Sequence, residues 1–173
     1  MLIVHSTNFN EAYDILESSF IPAELKPRDV LLSQWKNGEV NIAVQETDGE
    51  ISGVITLWEF PEFVFAENFA VKEDFRNKGI GAALLRDVIS KYSDKRIILE
   101  VEPPESDLQK RRIMFYERNG FTLSPFGYIQ PALRAGCDDV KLQIMHTGDN
   151  LCDKEFNNIK TEVFTTVYKC IAE

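Results

Sequence analysis

Cysteine and histidine are scarce in this chain, which excludes several classes of site. Among 173 residues there are three cysteines, Cys137, Cys152 and Cys170, and the two histidines are His5 and His146. No C-x-x-C pair occurs and no histidine cluster lies near a cysteine. Neither a zinc site nor a disulfide framework is therefore predicted, and we expect no metal.

Long apolar runs and a leader segment are also lacking. The N-terminus has no basic segment and only a three-residue apolar run, Leu2–Val4, so it does not resemble a secretory signal. No apolar stretch approaches the length that a bilayer span requires. These features predict a cytoplasmic protein without a membrane partner.

Basic residues are fewer than acidic residues in this chain. The 19 Lys and Arg residues face 28 Asp and Glu, a formal net charge of −9, which disfavours nucleic acid or an anionic membrane as a partner. An acidic body with one basic loop suits an anionic cofactor and a cationic second substrate, although acidic charge also serves solubility alone. A hydrophobic content of 44% and the length predict one globular domain over residues 1–173.

Hydrophobic periodicity and turn signals predict an α+β chain. Strands are expected at Leu2–His5, Val40–Glu46, Ile51–Phe60, Phe63–Val71, Arg96–Val101, Phe121–Gln130 (broken after Leu123) and Val140–His146. Helices are expected at Glu11–Phe20, from Pro27 to Trp35, from the glycine loop to about Tyr92, from Ser106 or Asp107 to Arg118, and from Asn150 or Asp153 to Cys170. The order predicts a mixed, mostly antiparallel, curved sheet of about seven strands with helices on both faces, in which a strand–helix–strand unit over 63–101 pairs in parallel.

A basic glycine loop, Arg76-Asn77-Lys78-Gly79-Ile80-Gly81, stands where the third helix begins. Glycines let backbone N–H groups approach an anion, and a helix N-terminus adds unpaired donors and the positive end of a dipole. Together with the arginine and the lysine, these features predict a phosphate-bearing ligand.

Two nucleotide-binding motifs fit the loop poorly. A nucleotide P-loop needs Lys and Ser/Thr after its second glycine, where this chain has Ala82 and Ala83. A dinucleotide fingerprint needs Gly or Ala at position 84, which is Leu84, although Glu100 lies about the right distance downstream for a ribose contact. The dinucleotide interpretation is the weaker alternative that stays open here.

The loop also matches the R/Q-x-x-G-x-G/A signature of the GNAT superfamily of N-acetyltransferases. The preceding segment Glu67–Val71 resembles the fourth strand of that family, and Arg111–Phe121 (RRIMFYERNGF) resembles its "FYe..GF" segment. The two motifs stand about 40 residues apart in the expected order of elements. The resemblance covers about Val40–Leu123 and implies the mixed sheet described above, while the helix at 153–170 lies beyond the usual core.

The resemblance implies acetyl-CoA as co-substrate. In GNAT proteins the pyrophosphate lies on the glycine loop, which assigns main-chain donors to Arg76, Asn77, Lys78, Gly79, Ile80, Gly81 and Ala82. The pantetheine arm lies like an added strand where the fourth and fifth strands separate, along the backbone of Phe69, Ala70 and Val71. The family often has an asparagine seven residues before its tyrosine; this chain has Gln109, whose amide is the predicted cofactor contact.

The resemblance also implies catalytic groups. Tyr116 matches the tyrosine that often protonates the departing CoA thiolate, a role that a phenol suits chemically. Glu67 matches a position that often faces the acceptor and is the predicted base or amine anchor, with Glu100 second and Glu59 third. A purely structural role is the alternative for each of these residues. Tyr116 could be a half-buried aromatic of its helix, and the three glutamates could be ordinary strand carboxylates.

The implied reaction is direct acetyl transfer to a primary amine of a small molecule or peptide in a ternary complex, since no cysteine lies in these motifs. The N–H of Val71 would polarise the acetyl carbonyl. A GNAT-fold module that binds acyl-CoA without turnover is the alternative. Members of the family often dimerise, so a homodimer is a candidate assembly. The acceptor itself is not encoded in any motif, although the N-terminal helices and Ser124–Asp139 are expected to line its pocket.

Overall fold

The computed structural model describes residues 2–3 and 8–169 of the chain. The α-helices are α1 (Phe9–Ser19), α2 (Arg28–Lys36), α3 (Ile80–Lys91), α4 (Asp107–Arg118) and α5 (Asp153–Glu162). The strands are β1 (Leu2–Ile3), β2 (Asn41–Thr47), β3 (Glu50–Glu59), β4 (Phe63–Val71), β5 (Arg96–Val101), β6 (Thr122–Gln130) and β7 (Val140–His146). None of the described helices is long and apolar enough to cross a bilayer.

The predicted elements are confirmed, with two corrections. The bounds of β4, β5 and β7 are those predicted, and the remaining bounds differ by a few residues at most, apart from the last helix. The segment predicted as a broken strand is one continuous strand, β6, whose irregularity is a bulge. The last helix does not stay α-helical to its end, because a π-helical turn, Val163–Val167, follows α5. The predictions for residues 4–5 and for Cys170 lie outside the described residues.

The strands form one sheet in the order β1-β2-β3-β4-β5-β7-β6. It consists of six longer strands and the two-residue β1 at one edge. Every neighbouring pair is antiparallel except β4 and β5, which are parallel and connected through α3. The sheet therefore confirms the predicted mixed, mostly antiparallel α+β class.

The two faces of the sheet carry separate apolar cores. Helices α1, α2 and α5 pack on one face around Phe9, Leu16, Trp58 and Phe156. Helices α3 and α4 pack on the other, around side chains that include Leu84, Leu85, Val88, Ile113 and Tyr116. Strand β5 contributes to both, since Ile98 belongs to the first core and its neighbours to the second, as the alternation of a fully buried strand requires.

Strands β4 and β5 pair over only four residues each, Phe63–Ala66 with Arg96–Leu99. Beyond this point β4 carries a bulge: Leu57 pairs with Ala66 and Ile55 with Phe69, so β4 has one residue more than β3 between the two pairs. A bulge bends its strand and strengthens the local twist. Because β5 continues straight alongside β7, a gap opens between the carboxyl ends of β4 and β5.

A second bulge shapes β6. Leu123 pairs with Met145 and Gly127 pairs with Gln143, so β6 has three residues between these two pairs while β7 has one. At Gly127 the strands approach so closely that a Cβ atom would lie 2.4 Å from the carbonyl oxygen of Leu142. Glycine is therefore required at this position, and the next residue, Tyr128, lies in the first core.

We expect Gly127→Ala to lower the free energy of unfolding by about 1–3 kcal/mol, because the added methyl group must displace the backbone of β7. Urea denaturation would measure this. Thr122→Val on the exposed part of the same strand is the control and is expected to stay within about 0.5 kcal/mol of the original protein. Equal stability of the two variants would contradict the assignment of a tight bulge.

Candidate active site

A cleft of about 730 Å³ lies at the gap between β4 and β5. Every site residue predicted from the sequence lines it, except Glu59, Lys78 and Gln109. Its lining adds residues that the sequence motifs did not indicate, among them Glu24, Arg112 and Phe115.

The gap exposes main-chain groups of β4. Lys72 donates its N–H to the carbonyl of Ser52 on β3 (2.9 Å), and the N–H of Asn68 donates to Thr56 Oγ1 on the same neighbour (2.9 Å). Since successive residues of a strand alternate between its two sides, Phe69 and Val71 direct their N–H and C=O groups into the gap. The Val71 carbonyl already accepts a hydrogen bond there from Arg76 Nε (3.3 Å). An extended ligand could pair with this edge in the manner of a strand.

The glycine loop forms a cradle of N–H groups. Asn77 (φ 61°) and Gly79 (φ 78°) both adopt the left-handed region, and α3 begins directly afterwards at Ile80. Within the described residues, the N–H groups of residues 77–82 donate no backbone hydrogen bond. Arg76 differs, because its N–H bonds to the Glu73 carbonyl (3.1 Å), which leaves its exposed side chain as its contribution to the cleft. Successive free N–H groups at a helix N-terminus are an anion site.

Gly81 has a packing role. A Cβ atom there would lie 3.1 Å from Phe69 Cζ, 3.2 Å from Phe115 Cζ and 3.3 Å from Val71 Cγ2. The absence of a side chain lets α3 begin against the open edge of β4, so that the cradle and the gap adjoin.

The side chains of two predicted cofactor residues contact other groups of the protein, while the main-chain role predicted for Lys78 stays a prediction. The Lys78 ammonium lies over the ring of Phe75, 5.2 Å from its centroid. Gln109 Oε1 accepts the N–H groups of Glu105 (3.0 Å) and Ser106 (2.8 Å), and the Ser106 side chain accepts the N–H of Gln109 in return. This is a capping box of α4, and the S-x-x-Q spacing in the sequence indicates it.

Tyr116 lies on the α3/α4 face of the sheet, where the gap opens. Its ring packs against Phe69, Phe115 and Phe121, with centroid distances of 6.2, 5.4 and 5.8 Å. The side chain borders the cleft, and its hydroxyl makes no hydrogen bond to any described residue. Burial raises the pKa of Tyr116 to about 12, so the hydroxyl stays protonated at neutral pH.

Glu67 lies at the bulge of β4, in the middle of the strand rather than at its start. Its carboxylate accepts two hydrogen bonds from Lys26 Nζ (2.7 and 3.0 Å) and one from Trp58 Nε1 (2.7 Å). The Glu67 and Lys26 side chains are only 3% and 6% exposed. No motif indicated Lys26 or Trp58, because both reach Glu67 only through the fold.

Glu100 follows the last β5 residue that pairs with β4 and lies on the α1/α5 face of the sheet. Its carboxylate accepts a hydrogen bond from the Tyr128 hydroxyl (2.5 Å) and is contacted at both oxygens by the Tyr168 hydroxyl (2.6 and 2.7 Å). Burial raises the pKa of Glu100 to about 7, although the two tyrosine hydrogen bonds oppose the shift. Glu67 also raises this pKa, and Lys26 lowers it.

Glu59, the third predicted carboxylate, is not part of the cleft. It ends β3, where it accepts hydrogen bonds from Asn41 Nδ2 (2.7 Å) and from the Tyr92 hydroxyl (2.6 Å). The end of α1 and its connection to α2 border the cleft through Ser19, Phe20 and Glu24, and Gln130 of β6 borders it as well.

No group of three or more His, Cys, Asp or Glu side chains within residues 2–3 and 8–169 is arranged to hold a metal ion.

Comparisons with known proteins agree with this geometry. The family model of the acetyltransferase (GNAT) domain matches residues 38–123. A solved structure of a protein from Bacteroides thetaiotaomicron, described as an acetyltransferase of the GNAT family, is 30% identical with a TM-score of 0.88, over 96% of this chain and 97% of that one. A search of curated proteins gives no significant match.

Two more distant structures share the fold. A Bacillus subtilis acetyltransferase in complex with CoA is 21% identical with a TM-score of 0.61, over 87% of this chain and 97% of its own. The ribosomal-protein-S18-alanine N-acetyltransferase of Escherichia coli is 19% identical with a TM-score of 0.62, over 88% and 95%. The full-length match at 30% identity and the matching domain model establish that this chain belongs to the GNAT family of acetyltransferases.

Proposed function

We propose that the protein transfers an acetyl group from acetyl-CoA to a primary amine of a small molecule or peptide, by direct attack in a ternary complex. One observation carries the proposal: the gap between β4 and β5 has a protonated phenol, Tyr116, on one face and a carboxylate of pKa about 7, Glu100, on the other. An acid and a base on opposite sides of one opening are what amine acetylation by a thioester requires.

The open main chain fits acetyl-CoA. The free N–H groups of residues 77–82 would hold the pyrophosphate, with the Arg76 side chain adding charge. The backbone of Phe69 and Val71 would pair with the pantetheine arm, with Ala70 between them facing β3. The CoA complex of the Bacillus subtilis relative supports this class of co-substrate. For Lys78 and Gln109, whose side chains are engaged elsewhere, we propose no side-chain contact.

In the proposed reaction the amine nitrogen attacks the acetyl carbonyl, the C–N bond forms and the C–S bond breaks. The N–H of Val71 polarises the carbonyl oxygen. Tyr116 protonates the departing thiolate and regains its proton from solvent. A phenol whose pKa is raised by burial keeps its proton until negative charge develops on the sulfur beside it.

We propose that Glu100, rather than Glu67, accepts the proton that the ammonium loses before the neutral amine attacks. Glu67 already accepts three hydrogen bonds and is ion-paired with Lys26, and a proton would have to displace that pair. Glu100 has a pKa of about 7, near neutral pH, where a general base is most effective. Glu67 then contributes negative charge to the part of the cleft that receives the amine. Its role as the base stays a prediction from the sequence.

The charges of the cleft favour a cationic acceptor. Four carboxylates line it, those of Glu24, Glu67, Glu100 and Glu102. Glu67 is paired with Lys26, and Glu102 with Arg112 (3.2 Å). Glu24 and Glu100 are left without a cationic partner within hydrogen-bond distance among the described residues, which favours an amine that arrives as an ammonium.

A screen of amines tests the proposal against the alternative of a binding module without turnover. Calorimetry would measure acetyl-CoA binding, and release of free CoA thiol would measure turnover with polyamines, amino acids, aminoglycosides and peptide N-termini. CoA release that requires an amine supports the enzyme. Binding without release on any amine would support the binding module.

The phosphate site at the glycine loop is tested by Arg76→Glu. We expect the Kd for CoA to rise about ten-fold or more, because a carboxylate replaces a guanidinium beside the bound pyrophosphate. Arg111→Glu, the same charge reversal on the exposed side of α4, is the control and should leave the Kd nearly unchanged. Equal effects of the two variants in calorimetry would contradict a phosphate site at this loop.

Tyr116→Phe is expected to lower kcat about 100-fold with little change in the KM for acetyl-CoA, because only the proton for the thiolate is lost. Steady-state thiol-release kinetics would measure both constants. Tyr92→Phe, which removes a buried hydroxyl away from the cleft, is the control. If the kcat of the Tyr116→Phe variant stays close to that of the original protein, Tyr116 is not the acid.

The pH dependence of kcat/KM distinguishes Glu100 from Glu67 as the general base. The original protein should gain activity as pH rises through about 7, since Glu100 accepts a proton only when ionised. We expect Glu100→Gln to lose this rise and about 100-fold or more in rate, while Glu67→Gln keeps the rise. The reverse result would make Glu67 the base, with circular dichroism verifying that both variants fold.

A further inference from the structure

The Glu100 carboxylate is held by two tyrosines from different parts of the chain. The Tyr128 hydroxyl contacts Oε1 at 2.5 Å, and the Tyr168 hydroxyl contacts Oε1 and Oε2 at 2.6 and 2.7 Å. Each hydroxyl has one proton, so Tyr168 shares its proton between the two oxygens. A carboxylate has about four acceptor sites, and these three contacts leave about one site for a further proton.

Tyr168 comes from the segment after α5, outside the residues matched by the family model. Its N–H bonds to the Val163 carbonyl (3.1 Å), five residues back, which closes the π-helical turn. The wider turn changes the direction of Tyr168 relative to an α-helical continuation. Phe164 packs edge-to-face on both tyrosines, at 5.0 Å from Tyr128 and 5.6 Å from Tyr168.

We propose that Tyr168, with Tyr128, is a positioning residue that fixes and ionises the Glu100 carboxylate, so that the segment after α5 completes the active site. The inference rests on the proposed function, in which Glu100 accepts the proton of the amine. The two hydroxyls are the only hydrogen-bond donors to this carboxylate among the described residues.

Four charged or titratable groups among the described residues act on the Glu100 carboxyl. They are Lys26 before α2, Glu67 of β4, Tyr128 of β6 and Tyr168 after α5. Burial and Glu67 favour the neutral acid, whereas Lys26 and the two hydroxyls favour the carboxylate. Removal of one hydroxyl therefore raises the pKa of Glu100 and leaves less of the base ionised at neutral pH.

The kinetic test is the pH profile of kcat/KM for Tyr168→Phe. We expect the rise in activity to move about one pH unit higher. The rate would then be about ten-fold lower below pH 7 and close to the original at pH 9. Tyr128→Phe should act in the same direction. Tyr92→Phe is the matched control, because its hydroxyl also donates to a carboxylate, Glu59 at 2.6 Å, but away from the cleft.

A second readout separates this inference from the proposed function. Carbon-13 NMR of labelled glutamate, assigned with Glu100→Gln, measures the pKa of Glu100 without any turnover. A raised pKa in Tyr168→Phe with an unmoved rate profile supports the role of Tyr168 and overturns Glu100 as the base. An unchanged pKa, or a rate lowered equally at every pH, overturns the inference itself.

Discussion

The bulge in β4 is the constraint on which the rest of the site depends. It adds one residue between two pairs with β3, and the Asn68 side chain holds it by donating to the carbonyl of Glu24 (3.0 Å). Without the bulge β4 would continue to pair with β5, and the N–H and C=O groups of Phe69 and Val71 would be used within the sheet. These main-chain groups therefore have no partner strand at the gap, and an extended ligand could form hydrogen bonds with them as an added strand would.

The gap also joins the two faces of the sheet. Tyr116 reaches it from the apolar core under α3 and α4, and Glu100 from the core under α1 and α5. Burial raises the pKa of both groups. The phenol of Tyr116 therefore stays protonated at neutral pH, and the pKa of the Glu100 carboxyl rises to about 7. Glu67 differs from Glu100 in its contacts, because it forms an ion pair with Lys26 whereas Glu100 accepts hydrogen bonds from two tyrosines.

The sequence predicted most of the fold because its signals are local. Alternation in β4, the apolar run of β5 and the glycine loop each lie within one element, and two motifs about 40 residues apart indicated the family. Gln109 shows the limit: its cofactor contact stays a prediction from the resemblance, while the structure uses its side chain in the capping box of α4. The interpretation of β6 as broken failed for a related reason, since Gly127 marks a bulge that depends on the neighbouring strand.

The sequence by itself determined the order of elements, the glycine loop at the start of α3 and the family, since these follow from residues near one another in the chain. The tertiary structure alone decided what surrounds each carboxylate. Lys26 lies 41 residues from Glu67, and Tyr168 lies 68 residues from Glu100, and no periodicity connects such positions. Because the pKa of a buried acid depends on its neighbours in space, the raised pKa of Glu100 arises only when the chain is folded.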